Sequence, residues 1–257
     1  MLRLSRFKGP LAGLLLMAVP FVAVANESGD DAWQYSGAIY LWGAGIGATT
    51  TGGDDIDMSF SDLVKNLDFA FMGLIEANKG KWSLLADVIY LDISDDVTST
   101  ANLINRPVKA KIDVGMTSWI VTAAAGYEIF ETDNTRLDLL GGGRYLYLKG
   151  DLDFEIDAGT PLGPRGRRVT ESDDVIDAVI GLRGMTELND KWYMNYLVDA
   201  GTGQSDYTWQ ALAGFNYRFK RVDAAFGYRY LKYKFDDKTL FDDMDVSGPY
   251  AGVRFHF

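Results

Sequence analysis

The sequence predicts an all-β chain: a transmembrane antiparallel up-and-down β-barrel of about ten strands, with a short amphipathic helix in the first long loop. Three observations lead there. Apolar and polar residues alternate with period two in one segment after another, as strands with two unlike faces require. Aromatic residues gather at the segment ends. Beyond residue 25 no apolar run reaches 18 residues, so no helix of this chain can span a bilayer. A closed barrel is then the remaining spanning structure, because closure alone satisfies every backbone donor and acceptor in hydrocarbon. The mean hydropathy lies near zero, as a barrel with a polar lumen demands.

Taken in order, the chain opens on Arg3, Arg6 and Lys8, an uncharged run from Gly9 to Val24, and the small residues Ala23 and Ala25. This is the pattern of a secretory signal peptide cleaved after Ala25. The apolar stretch Leu11–Val24 is 14 residues long and contains Pro20, too short for an anchor. Residues 26–257 are expected to form one barrel domain. The leader carries three basic and no acidic residues, so the remainder holds 22 basic against 36 acidic side chains, a formal charge of −14. That balance speaks against nucleic acid as a partner. The chain has no cysteine, and so no disulfides and no thiolate chemistry.

Strands are expected near 33–47, 68–79, 82–90, 108–130, 136–156, 173–187, 192–200, 207–219, from 222, and at the C-terminus. The clearest is 207–219. There Tyr207, Trp209, Ala211, Ala213, Phe215, Tyr217 and Phe219 alternate with Thr208, Gln210, Leu212, Gly214, Asn216 and Arg218. Aromatics at both ends with alanine between them is the layout of an aromatic girdle. The segments Trp82–Tyr90, Trp192–Ala200 and Val222–Tyr230 repeat it. If the strand near 33–47 or a neighbour is misread, the count falls to eight. Short polar turns are expected at 78–81, 131–135, 189–190 and 220–221. Long loops are expected at 48–67, 94–107, 157–172 and 236–245. In the first of these, Phe60, Leu63, Val64 and Leu67 lie at helical spacing after Ser59 and Ser61, which can cap. The helix is expected to pack over the barrel mouth or within its own loop.

The last strand, Tyr250–Phe257, turns Ala251, Val253, Phe255 and Phe257 one way and Gly252, Arg254 and His256 the other. Gly252, Phe255 and the terminal Phe257 resemble the C-terminal signature of Gram-negative outer-membrane β-barrels. Taken with the leader, the alternation and the girdles, the chain resembles the small barrels of the opacity and OmpA- or OmpW-like group over nearly its whole length. The resemblance implies a cell outer-membrane location, a porin-like membrane protein fold, and reading of the last strand by the barrel-assembly machinery. It also implies short turns on the periplasmic side and long loops outside. It fixes place and shape, since the group is functionally mixed.

Inward positions carry a mixed set of charges: Glu76, Asp87, Glu128, Asp138, Arg144, Asp177, Arg183, Asp199, Arg218, Asp223, Arg229 and Arg254. In a barrel this narrow, opposite charges are expected to pair across the lumen and close it; a charge-lined conduit is the other reading. Arg165, Arg167 and Arg168 lie in the third long loop. Arginine suits bidentate phosphate contact, so they are candidates for lipopolysaccharide, with pairing to their own acidic neighbours as the alternative. Asp92, Asp95, Asp96 and the acids at 236–245 form an acidic rim without EF-hand spacing. The only histidine is His256, at the periplasmic end, so no Ser/His/Asp group and no His-based metal site can be assembled at the outer face. No enzyme activity, cofactor or metal is expected. The leading expectation is a monomeric, non-enzymatic barrel with a structural and surface-interaction role, its loops meeting lipopolysaccharide. The alternative is a narrow channel for small polar or amphipathic solutes.

Overall fold

Every strand of the computed structural model pairs antiparallel with the strand that precedes or follows it in the sheet order, and the last strand returns to the first. The structure describes residues 32–50, 53, 55–103, 106–157, 165–235 and 241–257, so the expected leader at 1–25 lies outside them. Strand β1 (Gln34–Trp42) and strand β2 (Gly45–Thr50) form one interrupted stave, since both pair with β12 (Phe241–His256). Then come β3 (Asp55–Met58), helix α1 (Phe60–Lys65), β4 (Leu67–Lys79), β5 (Trp82–Leu103), β6 (Arg106–Glu131), β7 (Thr135–Asp157) and β8 (Arg165–Glu187). The circuit is completed by β9 (Trp192–Gly203), β10 (Tyr207–Arg218), β11 (Val222–Lys234) and β12. Counted as staves there are ten, so the eight-strand option falls.

Burial follows the two-residue period. Along β10, Thr208, Gln210, Gly214 and Asn216 are buried, while Tyr207, Trp209, Ala213 and Phe215 are exposed. The outward set around the cylinder is apolar: Ile39, Leu41, Ile75, Leu84, Ile176, Ile180, Val198, Phe226 and Val253 are all exposed. Apolar outside and ionic inside is the arrangement of a transmembrane barrel and the reverse of a soluble one. Two aromatic rings bound the apolar band. At the termini end, Trp82 meets Tyr127 and Trp192 meets Tyr217, each edge-on with centroids 5.0 Å apart. At the other end, Tyr90 packs on Trp119 at 4.5 Å and Trp209 on Tyr230 at 4.8 Å. From Trp82 to Tyr90 is eight residues, about 26 Å along a strand, enough for a tilted stave to cross hydrocarbon.

The turns at the termini end are tight. Gly80, with φ +53°, takes the left-handed conformation that closes the β4–β5 turn. At the far end two expected long loops are strands instead. The β5–β6 ladder runs unbroken to Leu103↔Arg106, and the β7–β8 ladder to Ile156↔Arg165. Strands of 22 to 26 residues exceed what a bilayer needs, so β5–β8 continue beyond the girdle as a four-stranded sheet. Their polar, turn-prone composition marks loops, but cross-strand pairing satisfies their backbone donors and acceptors within the sheet.

The first loop is corrected in another way. Above Ile39↔Gly73, β1 parts from β4; β3 pairs with β2, and α1 fills the fork. Ser59 caps α1 by accepting from the Asp62 amide. Leu63 is buried against the wall, while Phe60 and Val64 remain exposed and Leu67 starts β4. The helix packs beside β2, with the Phe60 ring close to Gly43, and carries the chain from β3 to β4.

Candidate functional site

The lumen is built in three storeys, each from inward positions of several staves. The storey next to the termini holds a cavity of about 420 Å³. Glu76 lines it, clasped by Arg183 and Arg254, with the Ser36 hydroxyl at 3.4 Å. Arg183 reaches on to Asp138 at 3.1 Å, which also accepts from Ser83 Oγ at 3.1 Å and Arg136 Nε at 2.9 Å. Arg136 in turn lies 3.6 Å from Glu128, itself 3.7 Å from Lys81. The buried Arg136 Nη2 has no hydrogen-bond partner among the described residues. Across the cavity Asp223 accepts the Tyr193 hydroxyl at 2.6 Å and bonds His256 Nε2 at 2.8 Å. Arg218 pairs with Glu187 at 2.7 Å and stacks over the Tyr193 ring.

The middle storey is a chain of charge-assisted bonds across the full width. Tyr40 donates its hydroxyl to Asp87 at 2.6 Å. Arg229 donates to Asp87 at 2.8 Å, to the Tyr40 oxygen at 3.0 Å, and twice to Gln210 Oε1. The Gln210 amide donates to Asp199 at 2.5 Å. Arg144 grips both Asp199 oxygens, at 2.7 and 2.8 Å, and uses its remaining donors on Thr122 and Thr208. Arg144 is 0 % exposed, and its charge is fully compensated.

The outer storey is apolar. Met72, Ile89, Ile120, Leu146, Leu148, Val175, Leu231, Tyr233, Phe235, Met244 and Val246 form one buried cluster with Trp42. Tyr233 and Phe235 stack with centroids 5.5 Å apart and planes 3° from parallel. Arg229 lies over the Trp42 ring at 5.0 Å, joining the charged belt to this stopper. Glycines let the inner surface close: at Gly214 an added Cβ would come within 2.1 Å of the Tyr250 hydroxyl.

The twelve inward charges thus fall into separate groups. Glu76, Asp138, Arg183, Arg218, Asp223 and Arg254 line the cavity, Glu128 lies behind Arg136, and Asp87, Arg144, Asp199 and Arg229 form the belt, of which all but Arg144 also face the cavity. Asp177 joins neither; at the rim it holds the β9–β10 turn through the amide and hydroxyl of Ser205, at 2.9 and 2.6 Å. The residues that the sequence reading missed are neutral or sit beside a turn: Tyr40, Gln210, Thr122 and Thr208 in the belt, Tyr193 and Arg136 at the cavity. For the first four the only sequence signal is an inward position. The stopper was missed altogether, because an apolar residue facing inward carries no mark once outward apolar residues are the rule.

Beyond the girdle, Arg168 is bonded to Asp153, its register partner on β7. The side chains of Arg165 and Arg167 lie outside the described set. On the acidic rim Asp92 accepts from the Tyr90 and Thr117 hydroxyls at 3.2 Å, and Asp243 lies 3.6 Å from Lys232. Residues 236–240 lie outside the described set. At the termini end Gly252 pairs with Tyr40 and Ala225, Phe255 with Gly37 and Val222, and the Phe257 amide donates to Tyr35 O at 3.0 Å. Among the described residues no cluster of three His, Cys, Asp or Glu side chains is placed to hold a metal.

No family model matches the sequence, and no curated protein matches it. Solved structures do. The translocator domain of autotransporter NalP from Neisseria meningitidis is 14% identical, with 90% of each chain covered and a TM-score of 0.42. Ail, the attachment invasion locus protein of Yersinia pestis, is 12% identical, covering 88% of this chain and 99% of its own, with a TM-score of 0.33. The P. putida toluene transporter TodX is 12% identical, covering 88% and 90%, with a TM-score of 0.32.

Proposed function

We propose that the chain is a non-enzymatic outer-membrane barrel whose lumen is stoppered. Its body is a rigid membrane insert, and its projecting strands are the surface that meets external partners. The observation that carries this reading is the apolar cluster from Trp42 to Val246 closing the outer storey above a belt of saturated charges. A conduit needs a continuous wet path, and the packing of these side chains among the described residues argues against one. The termini-end cavity, by contrast, opens among paired charges and ends blindly under the belt. No histidine stands near the outer face to serve acyl-transfer or hydrolytic chemistry.

Lipopolysaccharide is the partner suggested for Arg165, Arg167 and Arg168. Since Asp153 already holds Arg168, such contact falls mainly to the other two. Changing all three to Ser should lower lipopolysaccharide co-purification; an unchanged amount removes that partner. The reading of the body is tested by single-channel recording of the refolded chain in planar bilayers. No reproducible steps are expected, and discrete steps from the wild-type chain would defeat it in favour of the narrow-channel alternative, for which the cavity is the supporting feature.

A further inference from the structure

Strand β8 outruns its neighbour. Strand β9 pairs with it only from Asp177↔Gly203 downward, whereas β7 continues beside it to Arg165. The Ile176 amide donates to Gln204 Oε1 at 2.7 Å, and its carbonyl accepts from the Gln204 amide at 3.2 Å. The backbone groups of Ile176 therefore point away from β7. By the two-residue alternation, so do those of residues 166, 168, 170, 172 and 174, of which the Asp174 amide donates to Asp173 Oδ1 at 3.0 Å. No described strand takes them. Such a row is a template for one more strand.

The edge reads Arg165-Gly-Arg-Arg-Val-Thr-Glu-Ser-Asp-Asp174, with three cations before Val169 and three anions after Thr170. We propose that this edge pairs antiparallel with the same edge of a second copy. Bonded pairs require even-numbered residues to meet even-numbered ones. The register centred on Val169 sets Arg168 opposite Thr170 of the other copy, and Gly166 opposite Ser172. The intervening close pairs are Val169 with itself, Arg167 with Glu171 and Arg165 with Asp173. By symmetry each charge pair occurs twice, and no like charges meet. The next register one way sets Arg168 against Arg168. The next one the other way keeps only the Arg167–Asp173 match. A parallel in-register pairing opposes every arginine with itself. Arg168, bonded to Asp153 within its own copy, is not needed across the junction.

The direction of β8 fixes the arrangement. In each copy it runs toward the membrane, so an antiparallel pair inverts one copy relative to the other. Two barrels in one bilayer cannot do this, so the partner stands in a facing membrane. This step rests on the proposed membrane reading. Val169 is eight residues above Asp177, about 26 Å along the strand, which holds the facing girdles within about 50 Å of each other. Nine paired residues make a small interface, weak singly and strengthened by many copies on facing surfaces. The device is homotypic adhesion between membranes.

The absence of cysteine makes the test clean. Barrels are placed singly in lipid nanodiscs, and Val169→Cys is oxidised. A disulfide-linked pair of discs is expected, because Val169 meets itself at a close pair. Thr170→Cys, offset by two positions, should link at least tenfold less. Arg165→Glu/Arg167→Glu and Glu171→Arg/Asp173→Arg, each combined with Val169→Cys, should each lose at least tenfold in linkage alone and recover it when mixed. Equal linkage from Thr170→Cys, or a mixture that fails to recover, overturns the pairing. A chain that does not fold in the discs at all overturns the membrane reading and this inference with it.

Discussion

Removing Arg144 tests the claim that the belt is a compensated ionic lock rather than a chain of incidental contacts. The side chain is fully buried and gives Asp199 two bonds, at 2.7 and 2.8 Å, with further bonds to Thr122 and Thr208. Arg144→Met leaves the Asp199 carboxylate buried without a cation, at a typical cost of about 3–5 kcal/mol. One donor survives, the Gln210 amide at 2.5 Å, which places the loss near the lower end, about 3 kcal/mol. With a urea slope of about 2–3 kcal/mol/M, the unfolding midpoint should fall by about 1 M or slightly more. The paired change Arg144→Met/Asp199→Leu removes both charges at similar volume and should return stability to within about 1 kcal/mol of wild type. The assay is urea unfolding in lipid vesicles, followed by fluorescence of the six tryptophans. A single-variant loss below about 1 kcal/mol, or a double variant as unstable as the single, would refute the reasoning.

Other consequences are checked separately. Trp42→Ala/Tyr233→Ala/Phe235→Ala hollows the stopper where the stacked rings lie; conductance steps absent from the wild type should appear in planar bilayers, and continued silence would show that the belt alone seals. Gly214→Val drives a side chain into Tyr250 and should cost about 2–3 kcal/mol in the same urea assay, of which Gly214→Val/Tyr250→Ala recovers part. The Ser59 hydroxyl holds the Asp62 carboxyl below the usual carboxylate range. A depressed folded value means that capping is in full force above the ordinary carboxylate pKa and fades as pH falls through the lowered one. A carboxyl titration by NMR should show Ser59→Ala moving Asp62 upward. Deleting Phe257 removes the hydrogen bond from its amide to Tyr35 O, worth about 1 kcal/mol to the refolded barrel; a marked fall in assembled protein in cells alongside a change of that size would separate an assembly role from a stability role.

The alternation made the staves legible because a two-residue period survives noise: Tyr207–Phe219 keeps it over thirteen residues, and its burial follows the same beat. The ends were less legible, and for a physical reason. Beyond the girdle both faces of a strand meet water, so polar residues no longer mark one side. The stretch Ser94–Leu103 therefore reads like a loop although it is paired to its tip. Helix α1 could be read from its apolar spacing and its serine cap, since both signals are local. Its place in the fork between β1 and β4 could not, because that depends on where two strands part company, at Ile39 and Gly73.

The lumen shows the same limit from inside. Charged inward residues announce themselves, and those of the belt and cavity can be found by counting alternate positions. The proposed stopper is the apolar storey, and its members, such as Leu146, Leu231 and Tyr233, differ from lipid-facing residues only in parity. Parity is fixed by a neighbouring residue whose side is already known. Arg144 points inward, so Leu146 and Leu148 must as well, two and four residues on; Arg229 does the same for Leu231, Tyr233 and Phe235. Strands β7 and β11 therefore each carry a charged belt residue followed by buried apolar residues at +2 and +4. On the proposed reading, that spacing, charge then grease on one face, is what marks the stopper in the sequence. Its force can be tested within this chain: Leu146→Asp and Leu231→Asp extend the charged beat upward by one step, and each should destabilise the barrel by about 3 kcal/mol or more, because no cation waits at that level to meet the new carboxylate.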